Sequence, residues 1–163
     1  MQKFFPQIIL SLLIVLSSAF FPTNFVHARQ VFWQGETIVG ENFAQEVLEL
    51  VNIERAKFGR QPLKLSAGLM QAAEVRAGEL PKKFSHTRPN GSSCFTAVRS
   101  SYGYIGENIA AGQRSPEEVV ESWMNSEGHR KNILNKNFRN LGVGYVNVEN
   151  SEYGHYWVQL FSD

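Results

Sequence analysis

Imidazoles and carboxylates carry acid–base and metal chemistry, and in this chain they lie in separate segments. Of four histidines, His27 falls in the N-terminal apolar segment, and His86 lies between Ser85 and Thr87 in a polar stretch. His129 follows Gly128, and His155 precedes Tyr156-Trp157. Glu107 stands between Gly106 and Asn108, neighbours that let its backbone pack closely. An imidazole and a carboxylate from different segments can share a proton, or hold a cation with its water, once a fold brings them together. Spacing along the chain does not show that they meet, and solvated loop residues are the competing reading. No G-x-S-x-G elbow, Walker loop, H-E-x-x-H or C-x-x-C occurs, so serine-hydrolase, nucleotide and zincin readings lose their usual support. The single Cys94 excludes an intrachain disulfide and a Cys-rich zinc site, and reads as a small buried hydrophobe.

The elements that must hold these residues are marked by period. Phe43, Val47, Leu50, Val51 and Phe58 form one apolar stripe, predicting a helix from about Asn42 that Gly59 ends and Pro62 keeps from restarting. Ser66 is positioned to cap a second helix, with Leu69, Ala73, Ala77 and Leu80 on one face until Pro81. Residues 84–103 read as loop, with a turn at Asn90-Gly91 and a short helix within Ser93 to Ser100. Asn90-Gly91-Ser92 is also a glycosylation sequon, of consequence only in a eukaryotic secretory pathway. Ile105 to Ala111 reads as a short strand. Ser115-Pro116-Glu117-Glu118 is a capping box with proline at the first helical position, and Val119, Val120, Trp123 and Met124 form that helix's inner face. Leu141, Val143 and Tyr145 alternate, as do Tyr156, Val158 and Leu160, and Glu149-Asn150-Ser151-Glu152 turns one run into the other. Trp157 and Phe161 make the last strand apolar on both faces, so both need cover. An α/β fold follows: a three-layer α-β-α sandwich around a small, mainly antiparallel sheet.

Lys3, the apolar run Ile8 to Phe21 and the small-x-Ala end Val26-His27-Ala28 read as a signal peptide over residues 1–28, with residues 29–41 an extended leader and 42–163 the domain. The apolar run is shorter than the ~20 residues that span a bilayer, although Phe4 and Phe5 leave an uncleaved anchor as the alternative. With 16 Lys+Arg against 15 Asp+Glu, nothing points to nucleic acid. Without a basic amphipathic helix, tight binding to an anionic membrane is not expected either.

The order of motifs is more specific than any one of them. Asn52-Ile53-Glu54-Arg55, Gly59-Arg60-Gln61-Pro62-Leu63, Phe84-Ser85-His86, Gly106-Glu107-Asn108-Ile109, Trp123-Met124-Asn125-Ser126, Gly128-His129-Arg130 and Leu141-Gly142-Val143-Gly144 follow one another. Over residues 43 to 161 this resembles the CAP superfamily, or SCP domain, which comprises cysteine-rich secretory, antigen-five and pathogenesis-related-one proteins. The likeness is greatest to its disulfide-free bacterial branch. The resemblance implies the family's α-β-α sandwich and a cleft where two histidines and two acidic residues face each other. In some members that cleft holds a divalent metal.

Carried over singly, His86 and His129 match the two histidines and Glu107 the glutamate of the G-E-N motif. Where eukaryotic members place the second glutamate this chain has Ser126, with Glu127 one place on. On a continuous helix Ser126 and His129 share a face while Glu127 points away, so Glu127 lines the cleft only if the helix unwinds near Gly128. His155 superficially resembles a G-H-Y run of the family and reads as a strand residue. The resemblance thus implies His86 and His129 as metal ligands, for Zn²⁺ or another divalent cation, with a metal-free hydrogen-bonded network as the equal alternative. Three functions follow as expectations. The first is a secreted or envelope-associated binding module for an envelope component, lipid or peptide. The second is a metal-dependent hydrolase with Glu107 as base, and the third a structural envelope protein. Lacking a nucleophile with an evident base, the chain favours the first.

Overall fold

The computed structural model describes residues 37–163. Residues 1–28, which the sequence suggests as a signal peptide and which include His27, and residues 29–36 of the expected leader lie outside the described residues. In chain order the elements are α1 (Thr37–Lys57), β1 (Lys64–Leu65), α2 (Ala67–Glu79), a 3₁₀ turn (Cys94–Ala97), β2 (Ile105–Ala111), α3 (Pro116–Asn125), α4 (Glu127–Ile133), β3 (Asn140–Asn147) and β4 (His155–Ser162). Among the described residues no helix is long and apolar enough to cross a membrane.

Helix α1 starts at Thr37 rather than near Asn42, so the last residues of the expected leader are helical. An apolar stripe marks where a helix touches the core, and a helix can run on beyond its first core contact. Val47 and Val51 are fully buried, but Phe58 is 53% exposed, because α1 has ended at Lys57 and Gly59 turns the chain with φ 64°. The next inward position after Val51 belongs to Arg55 instead, which is completely buried. Ser66 takes the N-cap position of α2, yet its hydroxyl makes no capping bond. Its N–H binds the Leu141 carbonyl at 3.0 Å, extending the β1–β3 ladder. At α3 the Ser115 hydroxyl accepts from the Glu118 N–H at 3.3 Å, and the Glu118 carboxylate accepts from Arg114 N–H at 2.7 Å, one residue ahead of the cap.

The four-stranded sheet runs β1-β3-β4-β2, with β1 parallel to β3 and the other pairs antiparallel. On one face Val47 and Val51 of α1, Val119, Val120 and Trp123 of α3 and Ile133 of α4 pack on Ala110, Leu141, Val143, Trp157 and Phe161. On the other, Leu69, Ala72, Ala73 and Ala77 of α2 pack on Ile109, Tyr156, Val158 and Leu160. Thus β4 is covered on both sides, as its double apolar pattern requires, and the layers are α-β-α. Gly142 and Gly144 explain how α2 lies so close to β3. A Cβ on the first would land on the Leu69 backbone, and one on the second on the Ala73 carbonyl.

Candidate functional site

Helix α2 carries Arg76 in phase with its buried stripe, and the guanidinium is completely buried. A buried cation must be paired and fully hydrogen-bonded. Its partner is Glu107 of β2, whose side chain is 1% exposed, with Arg76 Nε 2.8 Å from Oε2 and NH2 3.3 Å from Oε1. Arg76 also donates to Glu79 at 2.7 Å and to the Ser85 carbonyl at 2.7 Å, while Arg88 holds Glu79 at 2.6 Å. Charges therefore alternate from Glu107 through Arg76 and Glu79 to Arg88, from the core to the surface.

The segment after α2 closes on itself. A Thr87–Ser93 bridge, the Arg88 N–H to Ser92 carbonyl bond at 2.8 Å and a turn at Gly91 (φ 87°) make it a small hairpin. The Cys94 N–H binds the His86 carbonyl at 3.0 Å, so the two residues stand side by side. His86 Nδ1 lies 2.8 Å from Glu107 Oε1, with the histidine side chain 56% exposed. An ionised carboxylate only accepts, so Nδ1 carries the proton, and the Nε2 of the neutral ring keeps its lone pair. The ligand atoms of His86, Cys94 and Glu107 lie within 4.8 Å of one another.

Burial pushes the Glu107 carboxyl up. Hydrogen bonds from His86 and Arg76, the Arg76 charge and the Cys94 thiol outweigh it and hold the group below its ordinary range. Burial, with the Glu107 charge and hydrogen bond, pushes the Cys94 thiol up to about 11. The thiol is therefore a donor to Glu107 and inert, as its reading as a buried hydrophobe implies.

The second histidine comes from α4 at the edge strand β2. Asn108 donates to the His129 carbonyl at 3.2 Å, and Asn132 donates to the Glu107 carbonyl at 3.2 Å and to Asn108 Oδ1 at 2.9 Å. Gly106 makes room: a Cβ there would lie 3.0 Å from the Phe138 ring and 3.3 Å from Asn132. His129 is half-buried, and burial followed by the charge of nearby His86 lowers its pKa.

The helix does break after Trp123, but at Ser126, which is extended (φ −101°, ψ 121°), rather than at Gly128. Ser126 and His129 therefore do not sit on one continuous helix. Glu127 opens α4, exposed and outside the His86–Cys94–Glu107 cluster. His155 heads β4, with Nδ1 2.7 Å from the Tyr145 hydroxyl and its ring stacked on that tyrosine.

The chemistry of the donors decides whether the His86–Cys94–Glu107 group suits a cation. Both Glu107 oxygens are engaged, the Arg76 charge stands behind them, and Cys94 holds its proton. The triangle of those groups therefore does not suit a cation. Glu107 is the acceptor that orients His86 from behind, so His86 Nε2 lies on the side of the ring away from that carboxylate.

Sequence reasoning missed Arg76 and the participation of Cys94. A charged residue in phase with the α2 apolar stripe was the available sign of Arg76. Nothing local marked Cys94, which arrives by closure of the hairpin.

Residues 48–161 match the model of the cysteine-rich secretory protein family, CAP. Uncharacterized protein YkwD of Bacillus subtilis strain 168 is 47% identical over 124 residues, which are 73% of this chain and 46% of that protein. An extracellular protein containing a SCP domain from Bacillus anthracis superposes with a TM-score of 0.67 at 26% identity, over 80% of this chain and 45% of that one. A cysteine-rich secretory protein from Staphylococcus aureus shares the fold with a TM-score of 0.61 at 22% identity, over 80% and 41% of the two chains. This chain spans less than half the length of each of these relatives.

Proposed function

The chain belongs to the cysteine-rich secretory protein (CAP) family, and from that membership and its cleft geometry we propose that it is an exported binding module. The ligand, an envelope component, lipid or peptide, contacts His86 and His129, and residues 1–28 direct export. The similar Bacillus anthracis protein is extracellular, which supports the second part.

One observation carries the reading. Glu107, the only carboxylate in the cluster, has both oxygens bound by Arg76 and His86 and is held ionised well inside the protein. A general base must be free to take a proton near the working pH. Glu107 is instead an anchor that fixes one face of the His86 ring and leaves Nε2 turned outward. Burial, then the charge of His86, lowers the His129 pKa and so favours the form whose ring nitrogen keeps a lone pair for a donor or cation. Zn²⁺ held by His86 and His129 would supply an electrophilic contact to an anionic or carbonyl group of the ligand.

Calorimetric titration of Zn²⁺ into the purified chain is expected to show binding that H86A/H129A weakens at least about tenfold. Equal binding by the two proteins removes the metal-holding part of the proposal. Casein, peptide and ester panels are expected to show no turnover. Turnover abolished by Glu107→Gln in a protein with an unchanged melting curve would replace the binding module by a hydrolase.

A further inference from the structure

The near-zero net charge conceals a segregation. Exposed Glu46, Glu49, Glu117, Glu118 and Glu121 belong to α1 and α3, whereas α4 carries exposed Glu127 alongside exposed Arg130 and Lys131. Residues 55–73 and 128–148 contain no Asp or Glu at all. Within these two stretches, Arg60 and Lys64 after α1, and Lys136 and Arg139 before β3, are all exposed.

Beneath them lies the buried Arg55. Its guanidinium donates only to backbone carbonyls: Nε to Gln61 at 2.8 Å, NH1 to Ile133 at 2.6 Å and Asn135 at 3.0 Å, and NH2 to Phe138 at 3.4 Å. Among the described residues no carboxylate pairs with it. Arg139 donates to that same Phe138 carbonyl at 2.8 Å and to Lys136 at 2.6 Å. The Lys64 N–H binds the Arg139 carbonyl at 3.0 Å, and the Arg60 N–H binds that of Arg55 at 2.9 Å. These bonds place Arg60, Lys64, Lys136 and Arg139 on the segments that enclose Arg55.

Burial, then the charges of Arg139 and Arg60, lower the Arg55 pKa to about 10, which is what an unneutralised positive field does. Carboxylates in adjoining segments are engaged: Glu54 with Lys57 at 2.6 Å, and Asp163 with the N–H groups of Gly103 and Tyr104 at 3.0 and 3.1 Å.

Like charges gathered without a counter-charge repel one another, and an external anion relieves that repulsion. A single small anion would meet one or two of these exposed side chains, whereas a chain of regularly spaced anions meets all four. We propose that this face docks a linear phosphate-bearing polyanion, with Arg60, Lys64, Lys136 and Arg139 touching phosphates and Arg55 as a fixed charge beneath. The surface flanks β1 at one edge of the sheet, and Glu107, the partner of His86, lies on β2 at the other.

The test is anisotropy of labelled inorganic polyphosphate titrated with the purified chain over a range of NaCl concentrations. Affinity should fall log-linearly with salt. The double variant K64Q/K136Q, whose side chains make no hydrogen bond among the described residues, should weaken binding by about tenfold and flatten the slope by roughly 1–2. R60Q/R139Q should do the same, with melting curves confirming that each variant is folded. K82Q/K83Q, in the turn after α2, and H86A/H129A should bind as the parent does, the latter separating this surface from the cleft. Absent or salt-indifferent binding, or equal weakening by K82Q/K83Q, would overturn the proposal. So would orthophosphate binding as tightly as the polymer, which would mean a single-anion site. Binding to phosphatidylglycerol vesicles but not to polyphosphate would mean a membrane surface instead.

Discussion

Arg76 and Glu107 are the buried pair behind His86, and each is costly to leave alone. With Arg76 gone, Glu79 keeps Arg88, but Glu107 keeps only His86 and the Cys94 thiol in a buried site. Arg76→Met is expected to cost about 3–5 kcal/mol in urea unfolding. R76M/E107L should recover much of it, since replacing both charges removes the stranded one. The pH dependence follows from the depressed carboxyl. The folded pKa of Glu107 lies below the unfolded one, so its contribution is complete above roughly pH 5 and is lost as pH falls through the folded value. The stability gap between parent and R76M should therefore be constant near neutrality and close under acid. A gap that widens under acid would contradict the ion pair. Arg76 was legible only as an oddity, a charge in phase with alanines and leucines, because its partner is a strand away in sequence.

Local period accounts for the elements. Strand β2 occupies the span that its residues predict, and α3 starts at the expected proline, because cap, proline and carboxylate act within one turn. Two features depend on neighbours instead. Arg55 occupies the inward α1 position that follows Val51, while Phe58 points to solvent, and only the backbone carbonyls of Gln61, Ile133, Asn135 and Phe138 make such a burial tolerable. Gly142 and Gly144 bring α2 onto β3 by the lack of side chains. Gly144→Ala should lower stability by at least about 1–3 kcal/mol in thermal melts, since backbone must move. Gly128→Ala has open space around its Cβ and should melt at or slightly above the parent. Equal losses at both sites would argue against the close approach of α2.

At the scale of the molecule, two apolar cores share one sheet. Trp123 and Trp157 report the layer of α1 and α3, and buried Cys94 reports the opposite side, beside α2. Because β4 contributes Trp157 and Phe161 to one core and Val158 and Leu160 to the other, neither layer has a sheet without its counterpart. Tryptophan fluorescence and Cys94 alkylation should therefore give the same urea midpoint. Separate midpoints would mean that the layers unfold independently. Charge is divided at this scale too, with exposed glutamates gathered on α1 and α3 and cations around Arg55, which a sum over the chain cannot reveal.

Helix stripes, strand alternation, caps and turns could all be read from the chain, since each is a relation between residues a few positions apart. So could membership of a known family, through the order of short motifs over nearly the whole described domain. Which groups share protons, and which charges stand unopposed, was decided only by the tertiary fold. Pairing Arg76 with Glu107, seating Cys94 beside His86 and opening α4 afresh at Glu127 depend on distances across layers. Electrostatic interaction and burial follow separation in space, and periodicity along a chain carries no information about that separation.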